Sequence, residues 1–168
     1  MNRYTVRKHI GVQFARGFTL VELVMVMVLL GILAAYAAPR IFNRSDFDAR
    51  GLHDVTMAYL RYAQKTAIAQ RRQVCVAYTA NSLTLTIAAA AGTGACPGAA
   101  ALNGPDGKTS LAAPANVSYS PVPATVAFDA LGQPLDSNGA VLVASRTVTV
   151  TGSGRTITVE AATGYVHD

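Results

Sequence analysis

The chain has 168 residues, room for one globular domain once an apolar stretch near its start is set aside. It is 51% hydrophobic and only 14% charged, odd for a wholly soluble domain but explained if about twenty residues sit in lipid. The formal charge of +5 lies mostly at one end. Arg3, Arg7, Lys8 and Arg16 precede Gly17 with no acidic residue among them, leaving ten basic against nine acidic residues for the rest. A basic-protein argument for a nucleic-acid partner therefore fails beyond Gly17.

From Phe18 to Ala38 the chain reads FTLVELVMVMVLLGILAAYAA, with Glu22 as its one charged member. At ~1.5 Å per residue this is enough to span a bilayer core of about 30 Å, so residues 18–38 are a transmembrane helix candidate. Basic residues crowd residues 1–17, read as a leader peptide, whereas Arg40 and Arg44 on the far side are balanced by Asp46 and Asp48. The positive-inside bias places the leader in the cytoplasm and exports the rest. An ordinary secretory signal is the rival reading, since Ala35-Tyr36-Ala37 offers a small-residue cleavage site. Against it stand the long leader and Glu22, which a signal peptide has no use for.

A carboxylate this far into an apolar helix costs about 2.5–3.5 kcal/mol unless it finds a partner. If the chain is cut after Gly17, the new α-amino group of Phe18 lies one helical turn before Glu22, within reach in the same chain or from a neighbour. The alternative keeps Glu22 among headgroups, solvated and inert. Gly31 and Pro39 weaken the helix, and the segment between them is expected to bend or unwind; Pro39 equally suits the point where a helix leaves the membrane.

Gly17-Phe18-Thr19-Leu20-Val21-Glu22-Leu23 resembles the type IV prepilin processing motif, and the resemblance extends through Gly31 and Pro39. It implies that a membrane-embedded prepilin peptidase cuts after Gly17 and methylates the amine of Phe18. It also implies that Glu22 neutralises the amine of an adjacent subunit during assembly.

Beyond Pro39, Phe47, Leu52, Val55, Tyr59, Tyr62 and Thr66 recur at three-to-five-residue steps, predicting an amphipathic continuation of the helix over 39–72 that ends near Gln70. The stripe is expected to pack on a sheet, and Asp46 can pair with Arg50. Arg71 and Arg72 place positive charge at the helix C-terminus, where the macrodipole favours it.

The rest, 73–168, reads as a β-rich head. Val74 to Tyr78 and Leu83 to Ala88 flank Asn81-Ser82 as a hairpin, followed by a loose Ala/Gly stretch. Cys75 and Cys96 lie outside any metal-binding or Cys-x-x-Cys spacing, and a disulfide between them is the natural reading if the head is exported. It would contribute on the order of 3 kcal/mol through loop closure; the alternative is two unpaired, small apolar side chains. Leu102 to Ala115 is loop by composition. Its Gly107-Lys108-Thr109 mimics a phosphate-binding loop, but Leu102 stands where the first glycine belongs, so Pro105-Asp106-Gly107 reads as a turn.

Thr147 to Thr151 and Thr156 to Glu160 alternate with period two around Gly152-Ser153-Gly154, an antiparallel hairpin that buries Val148, Val150, Ile157 and Val159. Val117 to Tyr119, Thr125 to Phe128 and Tyr165-Val166 complete the expected strands. The predicted fold is α+β: a long N-terminal transmembrane and amphipathic helix packed on a head of two small antiparallel sheets. Its layout, with Phe128 to Gly132 and Ala162 to Val166, resembles minor pilins and pseudopilins of the H type. That resemblance implies a filament subunit of a type II secretion pseudopilus or a type IV pilus, scarce and near the tip. The implied partners are the peptidase, other pilins through the N-terminal helix, an inner-membrane assembly platform and lipid. Single-pass insertion in a bacterial inner membrane would leave the head periplasmic.

His9, His53 and His167 are scattered, and no nucleophile elbow or metal-spaced cluster is present, so neither an enzyme nor a cofactor is expected. Arg146 and Arg155 flank the last hairpin and would be the cations of a DNA-capturing tip, but the tail from Gly164 to Asp168 adds no arginine or lysine.

Overall fold

A computed structural model describes residues 17–42, 45–92 and 100–168, with the side chains of 37–42 left out of the description. The chain divides into two compact units, Met1–Asn43 and Arg44–Asp168.

In the first unit, helix α1 covers Leu20–Phe42. It starts two residues later than the apolar run because Thr19 serves as its N-cap. Gly31 and Pro39 both lie inside the helical span, so neither ends it. Every described side chain from Phe18 to Tyr36 is exposed, and the helix is apolar on all sides. Among the described residues no helix is long and apolar enough to cross a membrane. The span expected over 18–38 is helical from Leu20 on, and the side chains of its last two residues, 37–38, lie outside the description.

In the second unit, helix α2 runs Ser45–Gln70 and buries Ala49, Leu52, His53, Thr56, Tyr59, Leu60, Ala63, Thr66 and Ala67, among others. These positions repeat every three or four residues, one face of a 3.6-residue helix. The predicted stripe is corrected at two places. Phe47 is exposed because, at ~100° per residue, it points almost directly away from the buried face, and Val55 sits at that face's edge. The interior line mixes large residues (Leu52, Tyr59, Leu60) with small ones (Ala49, Ala63, Ala67). The helix ends at Gln70 as expected, in a Schellman motif. Arg72 N donates to Ala67 O (3.2 Å) and Arg71 N to Ile68 O (3.3 Å), with Arg71 left-handed at φ 51°.

Strands β1 (Val74–Tyr78) and β2 (Ser82–Ile87) form the predicted hairpin, pairing Tyr78 with Leu83 and Val74 with Ile87. Two strands lie where loop was expected: β3 (Ala100–Leu102) and β4 (Ser110–Ala112) both pair with the outer edge of β2. Each has three residues and gains its hydrogen bonds from that edge, so no period marks it. On the other side of β1 lie β5 (Val126–Phe128) and then β6 (Pro134–Leu135), completing a six-stranded antiparallel sheet. The expected strand Val117 to Tyr119 reduces to one bridge between Tyr119 and Val150.

The second sheet orders β7 (Arg146–Thr149), β8 (Thr156–Val159) and β9 (Val166–His167), all antiparallel. Val148, Val150, Ile157 and Val159 are buried, as the alternation predicted. One continuous core joins α2 to both sheets, and Tyr59, Tyr119 and Phe128 are its largest fully buried side chains. The head is therefore a helix packed on antiparallel sheets, the predicted α+β arrangement with its first sheet twice the size of its second.

Candidate assembly site

The motif residues sit where α1 begins. Gly17, Phe18 and Thr19 precede the helix outside regular secondary structure and are exposed. The Glu22 amide donates to Thr19 Oγ1 at 3.2 Å, and the Leu23 amide to the Thr19 carbonyl at 3.1 Å. A side-chain oxygen thereby satisfies one of the helix's otherwise unpaired amides. Thr19-Leu20-Val21-Glu22 has the spacing of a capping box, and Phe18 and Leu23 hold the positions of a hydrophobic staple. Sequence reasoning treated Glu22 only as a charge in an apolar segment; the Thr-x-x-Glu spacing was the signal for the cap. The Glu22 carboxylate is exposed in the first turn, where the helix dipole favours an anion.

Cys75 lies buried in β1 and is disulfide-bonded. Cys96, its expected partner, lies outside the described residues. The phosphate-loop mimic is a turn, as predicted: Gly107 N donates to Gly104 O at 3.0 Å and Lys108 N to Asp106 Oδ1 at 3.2 Å. Tyr59 reaches from α2 to donate its hydroxyl to Asp106 at 2.5 Å, latching this loop to the helix. Burial, then the Asp106 hydrogen bond, pushes the phenol well above its ordinary range, and the same bond holds Asp106 below the usual carboxylate range. Gly104 is required for this latch, since a Cβ there would overlap the Tyr59 ring.

Of the two arginines considered for nucleic acid, Arg155 is engaged. It pairs with Asp54 at 3.3 Å and with Asp168, and it bridges the carboxylates that flank the fully buried His53. His53 Nδ1 lies 3.1 Å from Asp54, while Nε2 comes within 3.3 Å of Asp168 without hydrogen-bond alignment. The cluster ties α2 to the β7–β8 turn and the end of the chain. Nearby, Glu160 accepts from Ser145 and pairs with His167, each at 2.9 Å. The His167 hydrogen bond, then that of Ser145, lowers Glu160 from its ordinary value; the Glu160 bond raises His167. Among the described residues no group of three or more His, Cys, Asp or Glu side chains is arranged to hold a metal. The most specific chemistry is therefore the start of α1, and the head's polar clusters serve as internal ties.

Residues 14–38 match the family model of the prokaryotic N-terminal methylation motif. The chain is similar to the type IV narrow pilus major component PilA5 of Thermus thermophilus, with 40% identity over 60 residues. That stretch is 36% of this chain and spans about half, 52%, of the relative. Two crystal structures of the Pseudomonas aeruginosa type IV minor pilin FimU align at 16% identity. Their TM-scores are 0.43 and 0.44, over 71% and 79% of this chain and 88% and 90% of theirs. The chain therefore carries the prokaryotic N-terminal methylation motif at its start, followed by a β-rich head built on a helix.

Proposed function

We propose that this chain is a minor pilin-like structural subunit, cut between Gly17 and Phe18 by a prepilin peptidase and methylated on the new amine. The observation supporting the reading is the methylation motif over 14–38, with Glu22 held one turn into a capped helix whose surface is apolar throughout. In an assembled filament, Glu22 neutralises the Phe18 amine of an adjacent subunit, so a charge costly in lipid becomes an attachment point. The similar Thermus protein is a pilus component, which agrees with membership of a filament.

In this reading the subunit is anchored in the bacterial inner membrane with its head periplasmic. It then enters a type IV pilus or a type II secretion pseudopilus near the tip, through an assembly platform. Gly31 and Pro39 give α1 local freedom, and Cys75 pairs with Cys96 to staple the loop after β2. A DNA-capturing tip is the weaker reading, because Arg155 is committed to Asp54 and Asp168.

Mass spectrometry of the membrane-extracted protein is the test. A methylated N-terminus at Phe18 is expected, and an N-terminus near Ala38 overturns the reading in favour of a secretory signal. The Glu22→Ala variant should keep that N-terminus but fail to enter filaments; normal incorporation would refute the neutralising role.

A further inference from the structure

Two turns of the head are clamped to the C-terminal half of α2 by one side chain. Gln64 Nε2 donates to the carbonyls of Gly132 (3.0 Å) and Thr163 (3.1 Å). The fit is close: a Cβ on Gly132 would come within 2.8 Å of Ile68, and one on Gly164 within 2.5 Å of the Gly132 carbonyl. Leu131 and Tyr165 are the chain neighbours of Gly132 and Gly164, and with Ile68, which lies against Gly132, they stay in solvent, at 80%, 59% and 47% exposure. Large apolar side chains grouped in this way mark an interaction surface rather than scattered surface residues.

The surface is basic on its α2 side. Arg61, Lys65 and Arg71 are exposed, and α2 contains no acidic residue beyond Asp54. The acids of the two turns are internally bound. Asp129 accepts the amides of Leu131 and Gln133, and Glu160 is held by His167 and Ser145.

We propose that this surface docks the first turn of α2 of a second copy of the chain, an inference that rests on the reading as a filament subunit. The first turn is complementary in both respects. Phe47 is 77% exposed and is flanked by Asp46 and Asp48, each ~100° around the helix from it. The carboxylates meet Arg61, Lys65 and Arg71 while Phe47 packs on Ile68, Leu131 and Tyr165. Beside Phe47, an open groove of about 230 Å³ lined by Gly51, Val55, Leu111 and Pro114 gives the other copy's Leu131 a seat. Phe47 and Ile68 lie 21 residues apart, about 30 Å along α2, so the two surfaces cannot meet within one molecule. Between two copies whose helices run parallel, the contact is heterologous, so a pair of neighbouring copies suffices to make it.

The test mixes ¹⁵N-labelled and unlabelled full-length chain, extracted in detergent, and joins carboxylates to amines with a zero-length carbodiimide. The expected product is a hybrid-isotope link between Lys65 and Asp46 or Asp48. Leu131→Asp in the labelled copy should lower the Lys65–Asp48 link at least about fivefold, and Asp46→Lys in the unlabelled copy should recover it. Absence of the hybrid link, or a link unchanged by Leu131→Asp, overturns the interface, as does a link from Lys65 only to a different pilin. These outcomes are independent of the Phe18 N-terminus, which tests the subunit reading itself.

Discussion

Two tyrosines of the head whose hydroxyls are buried should respond to the same substitution with opposite signs. Tyr78 and Tyr119 pack edge to face, their ring centroids 5.4 Å apart and their planes at 72°. The Thr56 hydroxyl donates to Leu52 O at 2.6 Å, which uses its only proton. The 2.7 Å contact between Thr56 Oγ1 and Tyr119 Oη therefore has the tyrosine as donor. Burial pushes Tyr119 up to about 12, so that proton is present at any working pH. Tyr119→Phe removes a buried hydrogen bond and should cost about 1 kcal/mol, lowering the thermal midpoint by roughly 3–6 °C for a domain of this size. The Tyr78 hydroxyl is also buried but has no hydrogen-bond partner among the described residues, and burial drives its pKa far upward. Tyr78→Phe deletes an unpaired polar atom and should be neutral or stabilising by up to about 1 kcal/mol. Both variants keep their rings, so ring packing cancels in the comparison. Urea titration of the full chain in detergent, followed by circular dichroism, measures both. A neutral Tyr119→Phe alongside a Tyr78→Phe that costs more than about 1 kcal/mol would refute the hydrogen-bond assignment.

Arg71 holds a left-handed position at the end of α2 that glycine occupies without strain, so Arg71→Gly should raise stability by about 0.5–1 kcal/mol in the same titration. Gly104→Ala places a methyl group against the Tyr59 ring and should cost about 1–3 kcal/mol, with protease cleavage in the 104–108 loop as a second readout. The Glu160–His167 pair has a defined pH window. His167 is raised, so its contribution is full below the unfolded histidine value near 6.5 and fades as pH rises through the higher folded value. Glu160 is lowered, so its contribution is full above the ordinary carboxylate value and fades as pH falls through the lower folded value. The pair stabilises most between roughly pH 4.5 and 6.5, and His167→Ala should flatten the alkaline limb of thermal midpoint against pH.

How much the sequence disclosed depended on how local each signal was. The β7–β8 hairpin was legible because Thr and Val alternate on both sides of Gly152-Ser153-Gly154, with the glycines at φ 83° and 68°. Nothing in Ala100–Leu102 or Ser110–Ala112 announces a strand; their pairing is conferred by β2. Pro134-Leu135 was hidden for a related reason, since proline demotes a strand reading. On α2 two large residues misled, Phe47 and Val55 being exposed while Leu52 and Tyr59 are buried as the stripe predicts, and Ala49, Ala63 and Ala67 lie fully buried beside them. The start of α1 is legible as a prepilin motif, whereas its cap is signalled only by the spacing of Thr19 three residues before Glu22. Likewise the repeated Asp-x-x-Gly turns at 129–132 and 136–139 passed unread. In each, the aspartate collects two amides, from Leu131 and Gln133 and from Asn138 and Ala140.

The Thr19 cap has a consequence for genetics. It binds the backbone amide of residue 22, not its carboxylate, so every amino acid except proline can sit there with the helix still beginning at Leu20. A series at position 22 running through Asp, Gln, Ala and Lys is thus a titration of charge at fixed backbone geometry. Whatever separates those variants in a filament reports the side chain alone, and a parallel Thr19→Ala series reports the frame that holds it.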